Sequence, residues 1–233
     1  MPMEPWYPDE LEWAGPEHLD PEFVAAYDEK QQFDPRADIA LLAELGIGRD
    51  STIVDLGAGT GVFAFAAAPS VGHVVAVDIS SVMLDALRRR GARSSTDNVT
   101  VVEASLLSYA HVGSAPELVY CRNVLHHLPD FWKGVALQKI AALLAPNGYL
   151  LIRDIVYDFD PASAPARIGE WLANASDDPD VGYTANDFIE HLRSEHSTYR
   201  SVFDSLLEAA GFRIVEVTVR RSVYAEYTCA VGR

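Results

Sequence analysis

A chain of 233 residues, 49% of them hydrophobic, can bury one sizeable α/β core but not two. Its formal net charge of −16, with 18 basic residues scattered among 34 acidic ones, disfavours a nucleic-acid partner, which needs a basic stripe. Residues 1–12 hold neither a basic nor an apolar leader, and no apolar run reaches membrane-spanning length, so a cytoplasmic protein is expected.

The first 34 residues carry Trp6, Tyr7, Trp13, Phe23, Tyr27 and Phe33 outside any core pattern and read as a helical lid over a body of residues 35–233. Asp34-Pro35-Arg36 opens a helix through Ile39, Leu42 and Leu45, closed by Gly46 and Gly48. A strand over 52–56 runs into Gly57, Gly59 and Gly61, and a helix should follow from about 61 to 68, before Pro69. The next strand, 73–79, leads into a helix opened by Ser80 or Ser81 that turns Met83, Leu84 and Leu87 inward. Arg88, Arg89, Arg90 and Arg93 fall at its end, where the helix dipole favours cations.

Strands over 99–104, 118–123 and 149–155 follow, with a helix over 131–144 stopped by Pro146-Asn147-Gly148. Strands alternating with helices predict a parallel sheet covered on both faces. Residues 156–200 form an insertion with Trp171, Tyr183, Phe188 and Tyr199, in which Thr184 and Asp187 are spaced as a capping box, and we read it as a helical cap. The last runs, 212–220 and 222–231, are too close to be anything but an antiparallel hairpin. Cys121 and Cys229 lie in predicted strands and read as buried apolar residues. His126 and His127 are adjacent and on a helix would point about 100° apart, so no metal site is expected.

The chemistry concentrates in Ile53-Val54-Asp55-Leu56-Gly57-Ala58-Gly59-Thr60-Gly61, with Asp78 ending the next strand 17 residues after Gly61. Strand, glycine turn, helix and acid-tipped strand suit a nucleoside whose ribose offers two free hydroxyls. A dinucleotide site requires Gly or Ala where Val62 stands, which makes a nicotinamide oxidoreductase a poor reading. The glycines at 57, 59 and 61 suit a ligand with no pyrophosphate at the helix start.

This stretch resembles motif I of the class I S-adenosylmethionine-dependent methyltransferases, and the closing hairpin is similar to theirs. The resemblance implies an α/β, Rossmann-like seven-stranded mixed sheet with the last strand antiparallel, helices on both faces, and S-adenosyl-L-methionine as cofactor. It places the turn Gly57, Ala58 and Gly59 at the methionine part, Asp55 near its α-amino group and Asp78 on the ribose. Glu103, where Asp is usual, would take the adenine amino group beside the backbone of Ala104, with Ile79 and Met83 completing that set. Arg122 and Asn123, after the fourth strand, would line the methionine end, and Tyr27 and Phe33 would shield the sulfonium.

Methyl transfer from a sulfonium is an in-line displacement that needs a base only if the acceptor must lose a proton early. His127 and Asp154, at the ends of neighbouring strands four and five, are the two candidate bases, placed to converge at the sheet edge; His126 reads as structural and Tyr157 as a weaker candidate. The expected activity is methylation of an O or N atom of a small-molecule acceptor. A non-catalytic cofactor-binding regulatory module and a methyltransferase of macromolecules are the alternatives. The acceptor and the oligomeric state are not legible in the sequence.

Overall fold

The computed structural model describes residues 6–232; residues 1–5 of the expected lid and Arg233 lie outside them. Among the described residues, eight strands build one sheet. They are β1 (Thr52–Leu56), β2 (His73–Asp78), β3 (Val99–Glu103), β4 (Leu118–Arg122), β5 (Tyr149–Tyr157), β6 (Thr198–Tyr199), β7 (Phe212–Arg220) and β8 (Tyr224–Val231). Seven follow the order β3-β2-β1-β4-β5-β8-β7, and two-residue β6 pairs with the end of β5. All contacts are parallel except those of β8, which runs antiparallel to both β5 and β7. The seven-stranded mixed sheet expected from sequence is therefore present, with β6 as an addition.

The strand order reverses between β1 and β4, and ligands in open α/β sheets bind at such a switch point, beyond the carboxyl ends of the strands. Alternation sends Val54, Leu56, Val75 and Val77 into one buried cluster and Ile53, Val74 and Ala76 into another. The body helices are α3 (Arg36–Glu44), α4 (Val62–Ala67), α5 (Ser81–Arg93), α6 (Asp130–Leu143) and α9 (Arg200–Ala209). Ser80 caps α5 by accepting from Met83 N–H at 3.2 Å. Arg221 and Ser222 take left-handed backbone (φ 52° and 60°) to close the hairpin, so β8 starts two residues later than expected.

The N-terminal segment folds as α1 (Glu10–Trp13), a 3-10 turn (Pro16–Leu19) and α2 (Pro21–Gln31). The insertion holds α7 (Ala164–Leu172) and α8 (Ala185–Ser194), the latter opened by the Thr184–Asp187 capping box with both of its reciprocal bonds. It returns to the body because β6 zips along β5, Val156 opposite Thr198 and Tyr157 opposite Tyr199. Cys121 and Cys229 are buried strand residues. Among the described residues, no helix is long and apolar enough to cross a membrane.

Candidate functional site

The glycine turn hangs from its neighbour strand: the N–H groups of Gly57 and Ala58 both donate to Val77 O, at 2.8 and 2.9 Å. Gly59 then donates to Asp78 Oδ2 at 2.8 Å and Ser80 N–H to Oδ1 at 2.8 Å, which fixes the carboxylate at the strand tip. Gly59 has φ 53°, and a Cβ there would meet nothing nearer than Tyr27 at 3.9 Å and Met83 at 4.0 Å, so its face is open. Gly61 differs. A Cβ on it would sit 2.8 Å from Leu87 Cγ, so this glycine lets α4 pack on α5 and does not face a ligand, contrary to the sequence expectation.

Two adjoining cavities open on this turn, with empty volumes of about 720 and 540 Å³. Tyr27, Gly57, Gly59, Arg122 and Asn123 line both. Asp78, Ile79, Met83, Ala104 and His127 line the first; Phe33, Asp55 and Ala58 line the second. Glu103 lines neither and is exposed. Successive strand residues point to opposite sides, and here Ala104 takes the inward place, its N–H bonded to Asp78 O at 3.0 Å. The acid at that end of the cavity is instead Glu10 of α1, buried and accepting from Leu107 N–H at 3.1 Å. Glu10 and the cavity-lining His18 were missed, because nothing local marks a residue far upstream as facing β3.

Asp55 is 2% exposed, and its Oδ2 has no hydrogen-bond partner. Burial, and secondarily the nearby Asp78 charge, push its pKa up to about 8. Burial also raises the Asp78 pKa, against the pull of its backbone donors. The Phe33 ring lies 4.0 Å from the Arg122 guanidinium, so it already holds one internal cation while lining the second cavity. Gln31 Nε2 donates to Tyr27 OH at 3.0 Å and to Tyr183 OH at 2.6 Å, joining the N-terminal segment to the insertion over the site.

Beyond β4, a 3-10 turn (Leu125–His127) carries the two histidines. Asp154 does not converge with His127 as expected. One of its oxygens meets His126 Nδ1 and Ile155 N–H (2.7 Å), and the other accepts from Leu125 N–H at 2.9 Å. With both oxygens engaged and neither cavity lined by it, Asp154 positions the turn instead of facing an acceptor. The reason is local winding, since the 3-10 turn presents the first histidine to β5 and the second to the cavity. His126 is buried and lines neither cavity, in keeping with a structural place. Burial opposes its charge, but Asp154 and Glu195 outweigh that and push its pKa up to about 10. Burial and the charge of His126 hold His127 neutral, with a pKa near 3. Tyr157 packs among Phe159, Trp171 and Tyr199 and lines neither cavity.

Glu195, from the insertion, closes the cluster: its Oε2 lies 2.9 Å from His126 Nε2, 2.9 Å from His191 Nδ1 and 3.7 Å from His127 Nδ1. The N–H of His196 donates to His126 O at 2.8 Å, tying the two segments together. No sequence signal connected residue 195 to residue 126.

Residues 27–217 match the family model described as a methyltransferase domain. An uncharacterized methyltransferase of Bacillus subtilis is 25% identical over 58% of this chain and 53% of its own length. An arsenite methyltransferase of Halobacterium salinarum is 30% identical over 64% of this chain and 38% of its own. The chain spans about two fifths to one half of the first curated relatives it matches. Among solved structures, a magnesium protoporphyrin IX methyltransferase of Synechocystis with bound S-adenosylhomocysteine superposes with TM-score 0.61 at 18% identity, over 85% of this chain and 81% of its own.

Proposed function

The chain belongs to the methyltransferase-domain family, and from that premise we propose that it takes S-adenosyl-L-methionine and methylates an oxygen or nitrogen of a small-molecule acceptor. One observation carries the cofactor assignment: a buried carboxylate oxygen of Asp55 without a partner, beside a glycine turn open toward Tyr27 and Met83. That oxygen suits an α-ammonium group, and the free lone pairs of the Asp78 carboxylate suit a ribose diol. Ile79, Met83 and Ala104 supply an apolar bed for adenine, and Glu10 stands where its amino group would need an acceptor. Arg122 and Asn123 hold the amino-acid tail. A solved neighbour crystallised with S-adenosylhomocysteine supports the same donor.

When bound, the cofactor supplies an electrophilic methyl group on a sulfonium centre. The protein's contribution is placement. Tyr27, held through Gln31 to Tyr183, covers the turn and excludes water, and His127 borders the cavity as a neutral imidazole able to accept a hydrogen bond from the nucleophile. Its low basicity makes it an orienting acceptor first and a proton acceptor second. An open cavity, rather than one plugged by side chains, favours an enzyme over a non-catalytic binding module. The net charge of −16 and the enclosing N-terminal segment favour a small metabolite over a nucleic acid. We place the protein in the cytoplasm on its sequence.

Calorimetry with S-adenosylmethionine, S-adenosylhomocysteine and NADH tests the cofactor, with binding of the first two and not the third expected. A metabolite screen for S-adenosylhomocysteine release then tests turnover. No heat with either sulfur compound ends the proposal.

A further inference from the structure

We propose that His126, His127 and Glu195 form a binding site for one divalent transition-metal ion at the edge of the cofactor cavity. One ligand atom from each of the three lies within 4.8 Å of the other two. A tetrahedral ion with arms of about 2.0–2.2 Å requires ligand–ligand edges of about 3.3–3.5 Å. The two edges to Glu195 Oε2, 2.9 Å from His126 Nε2 and 3.7 Å from His127 Nδ1, lie on either side of that value. Adjacent histidines do not obstruct this. On the 3-10 turn their rings are 4.3 Å apart and tilted by 50°, not splayed as on an α-helix.

Three further features favour an ion over a simple hydrogen-bonded cluster. His127 Nδ1 is buried and has no hydrogen-bond partner, so one of the three ligand atoms is held dry and unsatisfied. The His126 ring is gripped from behind by Asp154 at Nδ1, the carboxylate–histidine arrangement that orients a metal-bound imidazole. His191 Nδ1 stands 2.9 Å from the Glu195 oxygen, so the carboxylate ligand is braced too.

Two histidines and one carboxylate leave a coordination position free for water or an acceptor oxygen, the pattern of catalytic rather than structural zinc. His127 lines the cavity, so that position is within reach of the acceptor space. The ion's use rests on the methyltransferase reading above. An acceptor hydroxyl bound to it would release its proton to solvent near neutral pH. The binding site itself does not depend on that reading.

Full-length protein stripped with EDTA is titrated with Zn²⁺ and with Co²⁺, read by elemental analysis after gel filtration and by the visible Co²⁺ d–d bands. One equivalent is expected, with intense tetrahedral-type bands. H127A and E195Q should abolish uptake, D154N should weaken it about 10–100-fold, and H111A, whose ring bonds Tyr109 OH and Ser114 O and not the cluster, should leave it unchanged. Circular dichroism confirms the fold of each variant, and the wild-type stoichiometry and spectrum decide without any variant. No uptake by the wild type, or uptake that survives both H127A and E195Q, overturns the site. S-adenosylmethionine calorimetry run in parallel separates the two readings: cofactor binding without metal uptake sinks this site alone, and metal uptake without cofactor binding sinks the donor assignment alone.

Discussion

Replacing Asp55 with Asn tests the electrostatic cost of burying this carboxylate in the ligand-free protein. Burial first, and the Asp78 charge second, lift the Asp55 pKa from 3.8 to about 8. The unfolded chain gives up this proton near pH 4, whereas the native state keeps it until about pH 8. Between those values the native state binds more protons, so the stability held in acid is lost as pH rises through 8. A rise of about four units corresponds to at most ~5 kcal/mol, and relaxation around the buried charge leaves ~2–3 kcal/mol. At this chain length 1 kcal/mol moves the melting temperature by about 2–4 °C. Melting curves without ligand should therefore show D55N gaining ~5–10 °C on the wild type between pH 5 and pH 9. A cofactor α-ammonium beside this carboxylate draws its pKa back down and releases the proton. Calorimetry at pH 7 in buffers of different ionisation enthalpy should find about one proton released by the wild type and none by D55N. Melting curves that run parallel across the range refute the reasoning.

Three further outcomes are expected. Asp78→Ala should weaken S-adenosylmethionine about 100-fold or more by calorimetry, since two charge-assisted bonds to the ribose contribute ~1.5–3 kcal/mol each; a change below about threefold contradicts the ribose assignment. Gly59→Ala and Gly61→Ala should separate binding from packing. The first puts a methyl group into the open face near Tyr27 and costs mainly cofactor affinity, about tenfold, while the second meets Leu87 Cγ at 2.8 Å and costs ~2–3 kcal/mol of stability; the reverse pattern in melting and binding assays refutes it. Asp38→Ala removes the acid that accepts from Arg153 Nε at 2.8 Å and Tyr120 OH at 2.7 Å, and should cost ~3–5 kcal/mol in urea denaturation. A loss below ~1 kcal/mol means water reaches these groups.

Much of the fold was legible because its signals are short-range. Apolar runs of five or six residues, the glycines after β1, Pro146-Asn147-Gly148 and the crowded final hairpin are each set by neighbours in the chain, and the strands fall within two residues of expectation. Ends were less legible: β5 continues to Tyr157 because β6 arrives to pair with it from the insertion. The geometry of the glycine turn was legible for the same reason. Asp55, Gly59 and Asp78 are placed by two adjacent strands and one turn, so their spacing nearly fixes their geometry.

A parallel sheet with a reversed final strand, and a nucleoside-type turn with an acid at its side, can be read from residue order, since each follows from local backbone chemistry. Which histidine Asp154 holds, that Glu195 joins them, and that Glu10 rather than Glu103 faces the cavity emerge only when the chain is folded. Those pairings depend on the winding of one 3-10 turn and on where two remote segments dock on the sheet. Side-chain direction there is set by packing between segments distant in the chain, which residue spacing does not encode.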